Sequence, residues 1–383
     1  MSELTQSNDL RPAIHRQLLT SVSVLALTAC VVCANAAEAD DATRPTVWIE
    51  LGGQAEQVTG APELFSPPFF DLVSKDDLTL LKMARRFPSF STGFEGKVTF
   101  APEQSDWRFS VGIRYGKSGN NRHLHHQTDG IPPFYGTFLG KKQAITFQRA
   151  IYADTHSSTR ESHAVLDFEV GKDVGLGLFG ERGDSVVSLG VRFVQFTNSS
   201  HANLYAQPTA ILGPLGGIPG FYSLPQYQIF ANYSGTISSS RNTRAAGPSL
   251  NWTGSVPVVG RESDISLDID WGVNAAVLFG RQKAHVRHQT HGYHYSEQGI
   301  LYPHYNRASY THGPYETDRS NRVTIPNIGV FGGLSLKFPN AKVSVGYRYD
   351  AFLNAMDTGI DTHQSSTLSF HGPFASISVG LGG

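Results

Sequence analysis

The stretch "DFEVGKDVGLGLFG" (167–180) begins as an alternating strand and ends in glycines. Ala164, Leu166, Phe168 and Val170 are apolar, whereas Asp167 and Glu169 between them carry carboxylates. Side chains alternate across a strand, so one face here is apolar and the other charged. Two folds satisfy that pattern. A water-soluble sandwich buries the apolar face and wets the charged one. A membrane barrel does the opposite, with lipid outside and a polar interior.

The rest of the chain repeats the pattern. In "TVWIELGGQAEQ", Val47, Ile49 and Leu51 oppose Glu50, Gln54 and Glu56; in "FSTGFEGKVTF", Phe94 and Val98 oppose Glu95 and Lys97. "WRFSVGIRYG" sets Phe109, Val111 and Ile113 against Arg108 and Arg114, and "SVVSLGVRF" sets Leu189 and Val191 against Arg192. "SDISLDIDWGVNAAVLFG" sets Ile269, Trp271 and Val273 against Asp268, Asp270 and Asn274. "TIPNIGVFGGLSLKF", "KVSVGYRYD" and "PFASISVGL" continue it to the end. Each segment is a weak signal of a membrane strand, but the signals accumulate.

The charged faces favour the barrel. They carry eight acids (Glu50, Glu56, Glu95, Asp167, Glu169, Asp268, Asp270 and Asp350) and seven bases (Lys97, Arg108, Arg114, Arg192, Lys337, Lys342 and Arg348). Yet only 16% of the 383 residues are charged, against about 25% in soluble domains. Aromatics such as Trp107, Tyr115, Trp252 and Phe338 fall near strand ends on the apolar face, as interfacial girdles do. Past residue 36 no run of apolar residues is long enough for a membrane helix. The lumen-lining set is therefore Glu50, Glu95, Arg108, Arg114, Asp167, Glu169, Arg192, Asp268, Asp270 and Arg348.

Link lengths alternate. Short links fall at 101–106, 172–184, 258–264 and 339–341; long ones at about 59–89, 118–162, 197–242, 283–321 and 354–366. This spacing predicts an all-β, antiparallel up-and-down transmembrane barrel of ten strands, with short periplasmic turns and long extracellular loops. Further strands at 141–153 and 226–237 would make it twelve. A helix is expected within 76–86, "DDLTLLKMARR", and "PLGGIPGF" (214–221) reads as a loop tip.

Residues 1–36 read as a secretory signal: Arg11, His15 and Arg16 precede an apolar run from Leu18 to Cys33, and "ANA" (34–36) supplies small residues for cleavage. A lipoprotein box, "LTAC" (27–30), offers acylation of Cys30 instead.

The C-terminal half, about 165–383, resembles the Legionella major outer-membrane protein-like family of pore-forming β-barrels. The resemblance lies in "VVSLGVRFVQF", "AAGPSLNWTGSVPV", "SLDIDWGVNAAVLFG", "TIPNIGVFGGLSLKF", "VSVGYRYDAFLNA" and "FHGPFASISVGL". Residues 37–164 match only loosely. The chain ends "VGLGG" and lacks the terminal aromatic of many outer-membrane strands. The resemblance implies a pore in the outer membrane of a Gram-negative bacterium.

Fifteen histidines stand out. "HVRHQTHGYH" spaces His285, His288, His291 and His294 by threes, a set whose imidazoles suit zinc or copper, although a three-residue step scatters ligands around a strand. "HLHHQ" adds His123, His125 and His126. His163 with Asp167, and Asp154 with His156, are the pairs a hydrolase would need, but neither forms a recognisable motif, and an enzyme is not expected. "GKSGNN" (116–121) has the wrong glycine spacing for a phosphate loop.

The expected function is porin-like passive permeation of small polar solutes through a narrow charged lumen. The alternative is a closed lumen whose His-rich loops bind a metal, ligand or surface. No cofactor is expected. The expected partners are outer-membrane lipid and lipopolysaccharide, the barrel assembly machinery and small polar solutes. A net charge of −1 gives no general attraction to nucleic acid.

Signal cleavage fixes a testable end: the exported protein is expected to begin at Ala37 and to contain no cysteine, since both cysteines precede it. Intact mass spectrometry checks this, and a species starting at an acylated Cys30 would refute it.

Overall fold

Thirteen strands make up the computed structural model, which describes residues 46–60, 89–102, 105–119, 121–129, 134–138, 141–145, 151–175, 184–207, 229–260, 265–298 and 304–381. They are β1 (Val47–Thr59), β2 (Ser89–Phe100), β3 (Trp107–Ser118), β4 (Asn121–Asp129), β5 (Phe134–Phe138), β6 (Lys141–Ile145), β7 (Ile151–Asp173), β8 (Asp184–Gln207), β9 (Ile229–Gly260), β10 (Ser266–Gln298), β11 (His304–Phe338), β12 (Ala341–Asp357) and β13 (Ser365–Leu381). The expected signal, the 76–86 helix and the 214–221 loop tip lie outside the described residues.

The main sheet runs β3-β2-β1-β13-β12-β11-β10-β9-β8-β7, and β3 pairs back onto β7, from Trp107↔Lys172 to Lys117↔Ser162, closing the ring. β4 continues β3 along the same edge of β7, from Asn121↔Thr159 to Asp129↔Ile151. Counting β3 and β4 as one staff, ten antiparallel staves form a closed up-and-down barrel. Closure pairs both edges of every stave where the ring crosses the apolar rows, which a bilayer interior requires.

Side-chain alternation then sorts the residues as the opening stretch suggested. Phe168 and Val170 point outward and are exposed, while Asp167 and Glu169 face the interior. The outer wall carries apolar rows across neighbouring strands, such as Val111–Phe168–Val191–Pro248. Ile49, Leu51, Phe94, Val98, Trp107, Leu334 and Val345 extend this surface around the ring. Exposed apolar surface on this scale is stable only against lipid.

The two ends differ. At the turn end, Pro339 and Asn340 alone separate β11 from β12. At the opposite, long end the strands run past the apolar rows, and β10 pairs with β11 from Ser266↔Lys337 to Gln298↔His304. Much of what the spacing assigned to loops at 118–162, 197–242 and 283–321 is therefore strand. The reason is physical: beyond the lipid both wall faces are wet, so the hydrophobic period that marks a membrane strand disappears. The twelve-strand alternative is also corrected. Residues 141–145 pair with β5 in a separate two-stranded hairpin, and 229–237 is the long-end part of β9.

Candidate functional site

Among the described residues the lumen gathers most of the paired charge, and it is filled in three successive layers. Nearest the turn end lies a charged layer. Arg192 on β8, 2% exposed, grips Asp167 of β7 with two bonds: Nε to Oδ1 at 2.7 Å and Nη2 to Oδ2 at 3.1 Å. Its Nη1 donates to the side-chain oxygens of Asn274 (2.6 Å, β10) and Asn327 (β11). Asn274 in turn donates to Asp350 at 3.4 Å.

Arg114 on β3 reaches Asp350 on β12 at 2.5 Å, and Arg348 on β12 reaches Glu95 on β2 at 2.5 Å. In the ring β3 lies nearly opposite β12 and β2 lies three staves from it, so single side chains reach across the interior. A ring of this size leaves an interior only about wide enough for side chains. Arg348 also lies against the rings of Phe331 and Phe374, 5.7 and 4.8 Å from their centroids. Lys342 pairs with Asp270 at 2.8 Å, and Asp270 and Asp268 both accept from Ser255. Lys97 faces Glu169 at 3.8 Å. Gly329 is required here: a Cβ would lie 2.0 Å from the Asp350 carboxylate.

The ten residues read from sequence as lumen-lining fall at inward-alternating positions of their strands, and most of them are paired there. Arg114 meets Asp350, while Asp167, Glu95 and Glu169 go to Arg192, Arg348 and Lys97. Arg108 stands apart at the turn end, partly exposed beside Asp173 (3.5 Å) and Asp184 (3.8 Å). Glu50 is half-buried and lies opposite Lys97 in the β1–β2 register.

Towards the long end the charges give way to an apolar seal. Phe196, Leu278, Ile325, Phe352, Met356 and Phe370 are buried together with Val58, Val165, Val194 and Leu368. The Phe196 ring meets Phe352 edge-on at 4.8 Å and stacks on Phe370 at 5.8 Å. β8 and β13 are diametrically placed, so these rings meet across the bore. A bulge helps: pairing of β12 with β13 is interrupted between Phe352 and Met356, and Ala355 and Met356 are consequently both buried. The buried His163 ring packs on Phe370 at 4.1 Å at this same level, so the layer is apolar across its centre and polar along the β7 side.

The third layer is a lid. Residues 358–364, between β12 and β13, fold into the long-end mouth rather than away from it. Arg319 of β11 donates to Asp357 (3.0 Å), to the Ile360 carbonyl (2.5 Å) and to the Gly359 carbonyl (2.7 Å). Arg241 of β9 donates to the carbonyls of Thr358 and Gly359 at 3.4 and 3.3 Å. Asp357 also accepts from the backbone amides of Gly359 and Gln364. His288 of β10 meets Asp361 at 2.8 Å, and His363 meets Gln282 at 3.3 Å. Burial opposes ionisation of Asp357, yet the Gln364 amide and Arg319 outweigh it and hold its carboxyl below the usual range. Burial also pushes the Arg241 guanidinium down to about 10, against the pull of Asp357.

The lid was missed in sequence because Arg241 and Arg319 fall in stretches assigned to loops. The available signal was "SSSRNTR" (238–244), where Ser239, Arg241 and Thr243 share one face. It is faint because both faces are polar.

The four-histidine set does not assemble. His285 faces outward beside Asp318 (2.8 Å) and Glu316 (3.8 Å), whereas His288 faces inward to the lid. Positions three apart on a strand take opposite faces. His291 is exposed and meets Thr311 at 2.9 Å; the His294 side chain lies outside the described residues, as do those of His123, His125 and His126. His285, Glu316 and Asp318 bring three donor atoms within 4.8 Å of one another. His163 pairs with Glu56 at 3.1 Å and packs on Phe370, so its partner is not Asp167.

No family model matches this chain, and no curated protein matches it. Among solved structures, it is similar to the translocator domain of the autotransporter NalP from Neisseria meningitidis (8% identity, 96% of this chain and 98% of that one, TM-score 0.28). It is also similar to the transport unit of the autotransporter AIDA-I from Escherichia coli (8% identity, 90% and 93%, TM-score 0.25) and to the P. putida toluene transporter TodX (8% identity, 89% and 91%, TM-score 0.20). The barrel assignment rests on the strand pairing, not on these likenesses.

The lid has a defined pH response. A depressed carboxyl contributes stability above its unfolded pKa and loses it as pH falls through the folded one. Amide protection at 358–364, measured relative to the intrinsic exchange rate at each pH, should therefore match at pH 7 and 5 and fall only below about pH 4. Arg319→Leu should already exchange fast at neutral pH. Fast exchange of the wild type at pH 7 would show that the lid is not held.

Proposed function

We propose that the protein is an outer-membrane barrel of the transport class whose pore is closed at rest. Its long end faces the cell exterior, as the asymmetry of the connections supports. Its lumen admits small polar solutes only when the seal yields. The observation that carries this reading is the Phe196–Phe352–Phe370 contact, which joins opposite walls between two polar layers. The charged layer supports it further: separating pairs in a confined, poorly hydrated space costs more than at a surface. The resemblance of residues 165–383 to a pore-forming family favours conduction in some state. The three layers argue against a permanently open, general porin.

A second reading keeps the lumen shut and assigns function to the wall that rises beyond the lipid. The long β10–β11 hairpin favours it, since its strands stay paired from Arg281↔Arg322 out to Gln298↔His304 and present a broad polar surface.

Planar-bilayer recording separates the two. The wild type should show little or no single-channel conductance. Replacing Phe196, Phe352 and Phe370 together by Ser should raise it at least tenfold, a barrier reduction of about 1.4 kcal/mol. Large, steady conductance in the wild type would contradict a closed pore, and silence in both proteins would favour the display reading.

A further inference from the structure

The outer wall changes character abruptly at one level. The last apolar row toward the long end is Ile113–Leu166–Phe193–Ala246–Phe279. The next outward row holds Gln195, Arg244, Arg281 and Arg322 on four consecutive strands, with Arg281 directly opposite both other arginines. All three arginines are exposed, and among the described residues none has a carboxylate partner. Like charges directly opposite on neighbouring strands repel. The row is thus a standing cost unless an anion bridges it. One row further out, Lys283 adds a fourth outward cation between Asn242 and Ser320.

Below Arg244 the wall is indented. A groove of about 450 Å³ passes over the small side chains of Ala164 and Ala246, between Ile113, Leu166, Phe193 and Phe279. Gln195 and Arg244 stand at its long-end rim. An apolar channel in the lipid-facing wall, leading up to a row of unpaired guanidiniums, matches a molecule with a hydrocarbon chain beneath an anionic head.

We infer that this face binds a phosphorylated, multiply acylated glycolipid of the lipid A class in the leaflet at the long end. One acyl chain lies in the groove and a phosphate lies across Arg244, Arg281 and Arg322. Charge count and span select this class over a simple phospholipid. Three arginines on adjacent strands cover roughly 10 Å, two strand spacings. A phosphate monoester carries close to two charges and three acceptor oxygens, suited to several guanidiniums at once, whereas a phosphodiester carries one charge. The polar row above, with Thr197, Asn242 and Ser320, offers hydrogen bonds to a sugar.

The test uses the refolded full barrel in detergent micelles, with native mass spectrometry reading bound lipid; it is blind to conduction, so its outcome is independent of the gating reading. Bisphosphorylated lipid A should bind at about tenfold lower concentration than phosphatidylglycerol or dephosphorylated lipid A. Substituting R244Q, R281Q and R322Q together should weaken lipid A binding about tenfold or more, with folding checked by heat-modifiable gel migration. Ala246→Phe fills the groove while keeping every charge, and should also weaken binding; it carries the test alone if the triple variant fails to fold. Equal binding of phosphatidylglycerol, or undiminished lipid A binding by folded Ala246→Phe or by the folded triple variant, would overturn the proposal.

Discussion

The Arg192 guanidinium, almost wholly buried, ties its own stave, β8, to β7, β10 and β11 by bonding Asp167, Asn274 and Asn327. It exists because a ten-stave ring is closed and narrow: charges that leave the lipid face have nowhere to go except toward one another. A buried ion is tolerable only when paired and hydrogen-bonded, and removing one partner of such a pair typically costs about 3–5 kcal/mol. The neighbouring pairs, Arg114 with Asp350 and Arg348 with Glu95, follow the same rule across the bore. The charged interior is thus a set of braces rather than a wet lining.

The braces alone would leave a polar column that water can enter. What changes the outcome is the position of the aromatic residues two to four positions beyond them. Phe352 follows Asp350 by two on β12, and Phe196 follows Arg192 by four on β8, so both point inward on the long-end side of the charges. The lid completes the series, with Arg241 and Arg319 holding backbone carbonyls of 358–364. In the proposed reading, widening the seal raises conductance only in part, because the charged layer and the lid remain, and full opening requires the mouth to change as well. The lid is the element built for it, since few contacts beyond Arg241, Arg319, Gln282 and His288 retain it.

The strand alternation made the barrel and its inner face legible in the sequence. Asp167 and Glu169 against Phe168 and Val170 already state which side meets lipid, because lipid imposes a strong period-2 pattern. Partner choice across the lumen was not legible. Glu95 lies directly opposite Arg114 in the β2–β3 register, yet it is Arg348 from another wall that binds it. That selection depends on bore width and stagger, which no local pattern encodes. Nor was the wall beyond the lipid visible, because Ser239, Ser240, Arg241 and Asn242 give no hydrophobic contrast between faces. The histidine spacing misled for a related reason: it suggests a site only if the segment is a loop, and β10 makes it a strand.

Water access to the seal decides the account most directly. The expected mature chain has no cysteine, so Ala276→Cys and Ala355→Cys place single thiols within the seal, where the native side chains are buried. In the folded barrel, reconstituted in vesicles at neutral pH, both thiols should resist a small charged methanethiosulfonate reagent added to either side and react promptly after unfolding. Rapid modification of both in the folded protein would mean that a water-filled path crosses the layer, and the closed-lumen account would fail.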